Sequence, residues 1–133
     1  MPKVQHPTIY DTRFFVEHFY SKDQDILTLT KAEIESTLEK IVSVITLHEF
    51  YRLDLEKSGR EVARLRCTLI KDAFEAVGVN EEIAIQAAEL RKLYRVPMGD
   101  GLIAATAYVM KGFCVTDDPH IRRMKEINSR WLS

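Results

Sequence analysis

The chain has 133 residues, enough for one domain with a real core; at this length roughly two thirds of the surface exposed by the unfolded chain is buried. Its composition, 46% hydrophobic and 29% charged, excludes the fibrous and disordered classes, and a net charge of −1 excludes a global basic field that would announce nucleic acid. Apolar runs are short and interrupted, so no segment is expected to span a bilayer, and Met1-Pro2-Lys3-Val4-Gln5-His6 lacks the apolar core of a secretory signal, so a cytoplasmic protein is expected.

Residues 6–10 read as a strand, with Pro7 suggesting an early or edge position. Asp11 caps a helix over about 12–20, in which Phe14, Phe15, His18 and Phe19 recur at helical spacing. Asp23 to Leu29 is expected to be a loop or a brief extended piece. Thr30, with Glu33 three residues on, has the capping-box pattern, predicting a second helix over 30–41 with Ile34, Leu38 and Ile41 on one stripe. Val42-Ser43-Val44-Ile45-Thr46 is β-branched and almost wholly apolar, the profile of a strand buried on both faces in a parallel sheet.

A helix over 47–57 follows and ends at Ser58-Gly59. The next runs over 60–74, with Val62, Leu65, Leu69 and Ile70 inward and basic residues outward, and the short break predicts a helical hairpin. Ala76-Val77-Gly78-Val79 suits a strand or a turn equally. Asn80 caps a helix to about Tyr94, whose acidic start (Glu81, Glu82) and basic end (Arg91, Lys92, Arg95) complement the helix dipole. After Pro97 comes a helix over 99–111, closed by Gly112, and then Phe113-Cys114-Val115-Thr116, a second strongly β pattern. Asp118 with Pro119 behind it starts another helix, and beyond Ile127 the tail Arg130-Trp131-Leu132 reads as a last edge strand. Cys67 and Cys114 sit in unrelated contexts and read as small core residues, not as a disulfide or a metal knuckle.

Strands alternating with helices predict an α/β fold, a three-layer α/β/α sandwich around a mostly parallel sheet, in a single domain spanning 1–133. In such a sheet every strand points its carboxyl end to one edge, where ligands bind. Asp11, Asp117 and Asp118 follow strand ends, and Glu49 lies in the first turn after another. Asp100 opens a helix whose Ala104, Ala105 and Ala107 permit close packing on the sheet. Singly, Asp11, Asp100 and Asp118 are ordinary helix caps and Glu49 an ordinary solvated residue.

Together, four carboxylates in one crevice would raise one another's pKa unless a cation sits among them. Oxygen ligands without paired His or Cys favour Mg²⁺ or Mn²⁺ over zinc. Such an ion binds phosphates and makes a coordinated water a usable nucleophile, so hydrolysis of a nucleic-acid backbone is the reaction class that fits. Thr12 and Thr116 stand beside the acids, placed either to orient them or simply as a helix start and a β-former. His6, His18, His48 and His120 lack zinc spacing, and His48 and His120 read as hydrogen-bond partners rather than ligands. Arg13 and the Arg60, Arg64, Lys71 row suit RNA phosphates or a solvated face; Phe50, Tyr51 and Leu53 suit the core or a partner groove.

The order Ile9-Tyr10-Asp11-Thr12, Ser43-Val44-Ile45-Thr46-Leu47-His48-Glu49, Gly99-Asp100-Gly101-Leu102-Ile103-Ala104-Ala105-Thr106-Ala107 and Val115-Thr116-Asp117-Asp118 resembles the PIN-domain ribonucleases, most closely the VapC-type toxins of toxin–antitoxin pairs. The resemblance covers almost the whole chain. It implies a parallel α/β/α sandwich and metal-dependent endoribonuclease cleavage at a four-acid Mg²⁺ or Mn²⁺ site. By motif the acids fall on Asp11, Glu49, Asp100 and Asp118, with Thr116 as the threonine of the last motif and Asp117 an adjacent acid that competes for the fourth place. It further implies a homodimer inhibited by a small VapB-like antitoxin. The alternatives are an RNA-binding or scaffold protein with a PIN-like fold and little nuclease activity, and a receiver-like phosphotransfer domain, disfavoured because Lys111 precedes the late strand instead of following it.

Overall fold

The computed structural model describes residues 6–133; the segment 1–5, on which the expectation about a signal rests, lies outside the described residues. The elements are β1 (Thr8–Tyr10), α1 (Thr12–Tyr20), α2 (Gln24–Glu35), β2 (Lys40–Ser43), α3 (Val44–Ser58) and α4 (Arg60–Ala73). They continue with β3 (Glu75–Val77), α5 (Glu81–Tyr94), α6 (Met98–Val109), β4 (Phe113–Val115), α7 (Pro119–Arg122) and β5 (Asn128–Arg130). The five strands form one sheet in the order β3-β2-β1-β4-β5, with every pairing parallel.

Alternation along the strands divides the core into two layers. Ile9, Ile41 and Cys114 face one side, against Ile83, Ala87 and Leu90 of α5 and Ile103, Ala104 and Ala107 of α6. Tyr10, Val42 and Val115 face the other, against Phe14, Phe15, Phe50, Ile70 and Phe74. Each central strand is therefore apolar at consecutive positions, as a sheet covered on both faces requires. The chain runs outward from β1 through β2 to β3, then returns to lay β4 on the opposite side of β1. Strand order thus reverses between β1 and β4, and a crevice opens at their carboxyl ends.

Several expectations need correction. Of the early and edge positions that Pro7 suggests, the early one is found: β1 is central, and Pro7 precedes the ladder and offers only its carbonyl, which accepts from the Phe113 N–H at 2.9 Å. The stretch expected to be a loop is the start of α2, because Asp23 provides an earlier cap, accepting from the Asp25 N–H. Thr30 therefore lies buried in mid-helix, its hydroxyl 2.9 Å from His18 Nδ1, and Ile41 belongs to β2 instead of a helical stripe. The β-branched run Val44-Ile45-Thr46 is helical, because Ser43 stops β2 and caps α3 by accepting from the Ile45 N–H.

The helical hairpin forms, turning at Gly59, whose φ of 85° lies where a side chain is strained. Its second helix is rotated from expectation: Ala63 and Ile70 are buried, while Val62, Leu65 and Leu69 are exposed. The cause is Arg66, which turns inward to Asp54 at 2.8 Å and lies over the rings of Phe19 and Tyr20. Val77 resolves into β3, and the last strand ends at Arg130 without including Trp131 and Leu132. Both cysteines are free, Cys114 buried and Cys67 half-buried. No described helix is long and apolar enough to cross a membrane.

Candidate active site

Asp11 follows β1 directly, only 5% exposed, and its backbone N–H continues the ladder to the Val115 carbonyl. Its Oδ1 accepts from the Thr12 N–H at 2.7 Å and its Oδ2 from the Thr116 hydroxyl at 2.6 Å. Thr116 spends its one hydrogen on Asp11, so its oxygen is free to accept from the Asp118 N–H at 3.0 Å. One hydroxyl thereby ties the end of β1 to the end of β4.

Thr12 does the same toward α3, donating its hydroxyl to Glu49 Oε1 at 2.6 Å. The other Glu49 oxygen lies against Gly99: a Cβ there would stand 2.6 Å from Oε2. Asp100 is in the first turn of α6 and makes no cap hydrogen bond; its Oδ2 lies 2.8 Å from His120 Nδ1. Asp118 caps α7, its Oδ1 accepting from the His120 N–H at 2.8 Å and lying 3.4 Å from His120 Nδ1. Asp117 is nearer Arg13, its Oδ2 3.7 Å from Arg13 Nε. An open cleft of about 610 Å³ is lined by Asp11, Thr12, Arg13, Glu49, Asp100, Asp117 and Asp118, and a neighbouring one by His48, Glu49, Arg52 and Glu56.

The electrostatics are those of a carboxylate-rich site. Burial pushes Asp11 up to about 6; hydrogen bonds from Thr116 and Thr12 oppose this, and the charges of Asp100 and Asp118 add to it. Asp100 is also raised, by burial first and by the charge of Asp118, against the opposing hydrogen bond of His120. Among the described residues no lysine or arginine pairs with Asp11, Glu49, Asp100 or Asp118. Asp100, Asp118 and His120 each present one ligand atom within 4.8 Å of the others. Oxygen-rich donors and the raised pKa values of Asp11 and Asp100 make a set that fits a hard divalent ion.

One feature of the site escapes sequence reasoning, the approach of Gly99 to Glu49, whereas His120, expected as a hydrogen-bond partner, takes that role at Asp100. For His120 a signal existed, since Asp118-Pro119-His120 puts an imidazole on the turn that an aspartate caps.

Residues 8–127 match the PIN domain family. A VapC ribonuclease of Pyrococcus furiosus is 30% identical over 97 residues, which are 69% of this chain and 60% of that protein. The chain thus aligns with less than two thirds of that relative's length. Among solved structures, a VapBC complex of Rickettsia felis bound to promoter DNA superposes with a TM-score of 0.79 over 96% of this chain and 99% of that one, at 14% identity. DNA-bound VapBC of Salmonella typhimurium also gives 0.79, over 96% and 98%, at 17% identity. A VapC toxin of Mycobacterium tuberculosis that cleaves the sarcin–ricin loop gives 0.71, over 91% and 98%, at 16% identity. At these identities the structural likeness is one of fold, an all-parallel five-stranded sheet between helices. With the family matched from the first strand to the last helical turn, and the acidic crevice at its switch point, the chain belongs to the PIN domain family.

Proposed function

We propose that this chain is a VapC-type toxin, a Mg²⁺- or Mn²⁺-dependent endoribonuclease that hydrolyses RNA phosphodiesters in the cytoplasm and is restrained by a small VapB-like antitoxin. The observation that carries the reading is the convergence of Asp11, Glu49, Asp100 and Asp118 on one cleft with no lysine or arginine paired to them among the described residues. Asp11, Asp100 and Asp118 would hold the ion, with Glu49 contributing from the α3 side. A bound ion would supply charge neutralisation for a substrate phosphate and a lowered pKa for the attacking water. Thr116 and Thr12 fix the oxygens of Asp11 and Glu49, so that the carboxylates need not reorganise when substrate arrives. Arg13 and Arg52, at the cleft walls, are placed to meet flanking phosphates. Asp118 is the fourth acid in this reading, because it lies with Asp100 and His120 whereas Asp117 faces Arg13 at 3.7 Å.

RNA as substrate is supported by the Pyrococcus furiosus relative, and an antitoxin by the VapBC complexes that share the fold. An apolar cleft of about 380 Å³ lined by Phe15, Phe19, Leu69 and Phe74 offers the antitoxin a seat, and the exposed Ile85 and Leu93 of α5 offer a second copy one. The test is cleavage of a defined RNA by wild type and Asp100→Asn. The wild type is expected to cut and the variant to lose at least about 100-fold in rate. Equal rates would overturn the reading. RNA retained with steep salt dependence but never cut would establish the binding-only alternative.

A further inference from the structure

Beside the cleft, against two of its acids, stands a nitrogen donor that the four-acid reading leaves unused. His120 Nδ1 stands 2.8 Å from Asp100 Oδ2 and 3.4 Å from Asp118 Oδ1. Adjacent ligands on an octahedral ion with bonds of about 2.1 Å are about 3.0 Å apart, and the two observed separations bracket that value. The ring is held by its own backbone: the His120 N–H is fixed to Asp118 at 2.8 Å, and Pro119 sets the turn between them. With 46% of its side chain exposed, the imidazole, which donates from Nδ1 to Asp100 in the ion-free protein, can move its hydrogen to Nε2 and present a lone pair at Nδ1.

We infer that His120 ligates the divalent ion directly, together with Asp100 and Asp118, and that this nitrogen biases the site toward Mn²⁺ over Mg²⁺. The inference rests on the metal-site reading above and goes beyond it in naming a nitrogen ligand and a metal preference. The chemical reason is ligand softness: Mg²⁺ selects oxygen donors and dehydrates reluctantly, whereas first-row transition ions accept imidazole readily.

The experiment is Mn²⁺ titration followed by electron paramagnetic resonance, with electron-spin-echo detection of nitrogen coupling and Mg²⁺ competition, on wild type, His120→Ala and His120→Gln. Wild type is expected to show directly coordinated ¹⁴N on bound Mn²⁺. Both variants are expected to lose that coupling, with Mn²⁺ affinity falling at least about tenfold and Mg²⁺ affinity less than about threefold. Mn²⁺ bound by wild type without nitrogen coupling overturns the inference and leaves the four-acid site standing. Equal loss for both metals makes His120 a positioning residue for Asp100 and also overturns it. Failure of wild type to bind Mn²⁺ at all removes the metal-site reading and the inference together.

Discussion

Asp11 shows how much a single buried carboxylate decides. Its pKa is raised from 3.8 to about 6, chiefly by burial, so the folded chain takes up its proton at a pH where the unfolded chain has released it. Folding is therefore favoured below pH 4, and the advantage is lost as pH rises from about 4 through about 6, up to about 3 kcal/mol in the ion-free protein. Asp11→Asn removes the buried charge, and at pH 7.5 it should raise ion-free stability by about 1–3 kcal/mol in urea unfolding while abolishing stabilisation by Mn²⁺. Loss of stability in the variant would contradict this account of Asp11. In the sequence Asp11, Asp100 and Asp118 are legible by position, at strand ends or in a first helical turn; Glu49, expected in a first turn, lies in the second turn of α3 because that helix begins at Val44, and all four line one cleft. The contact of Gly99 with Glu49 is not legible, because it depends on how closely α6 approaches α3, and for His120 the sequence suggests a hydrogen-bond partner without naming Asp100 as the acceptor.

Two helices set the position of Glu49. Gly99 belongs to α6, so Gly99→Ala should leave stability unchanged or raise it by up to about 1 kcal/mol through helix propensity. Its methyl would stand 2.6 Å from Glu49 Oε2, so the carboxylate must move and RNA cleavage should fall about 10- to 100-fold, measured as kcat beside an unchanged or higher Tm. The α3–α4 hairpin is pinned differently, by Arg66 on the fully buried Asp54, with Tyr20 and Ser58 completing the network. Arg66→Ala would strand that charge and cost about 3–5 kcal/mol in denaturant unfolding. This network also explains the misread face of α4: a pattern of leucines cannot reveal that an arginine of the same helix has a buried partner. Likewise the starts of α2 and α3 are misread from apolar pattern, because Asp23 and Ser43 act as caps ahead of stretches whose composition suggests otherwise.

For the whole molecule, alternating strands and helices make the parallel α/β class legible, since strands apolar at consecutive positions need cover on both faces. The order β3-β2-β1-β4-β5 is not legible, because nothing local to Thr8–Tyr10 says that two strands from distant parts of the chain will flank it. That order matters most, since it puts the reversal between β1 and β4 and gathers the acids there. The apolar surface left outward on α4 belongs to this scale too. Leu69→Asp, at an exposed position, should leave folding and ion-dependent cleavage intact while releasing the enzyme from antitoxin inhibition, read by titrating antitoxin against RNA cleavage. The central claim, that the acids gathered by this topology hold a divalent ion that cuts RNA, is tested most directly by the rate of RNA cleavage as a function of Mn²⁺ concentration. The account predicts no cleavage in EDTA and a saturable rise with Mn²⁺; a rate indifferent to the ion would contradict it.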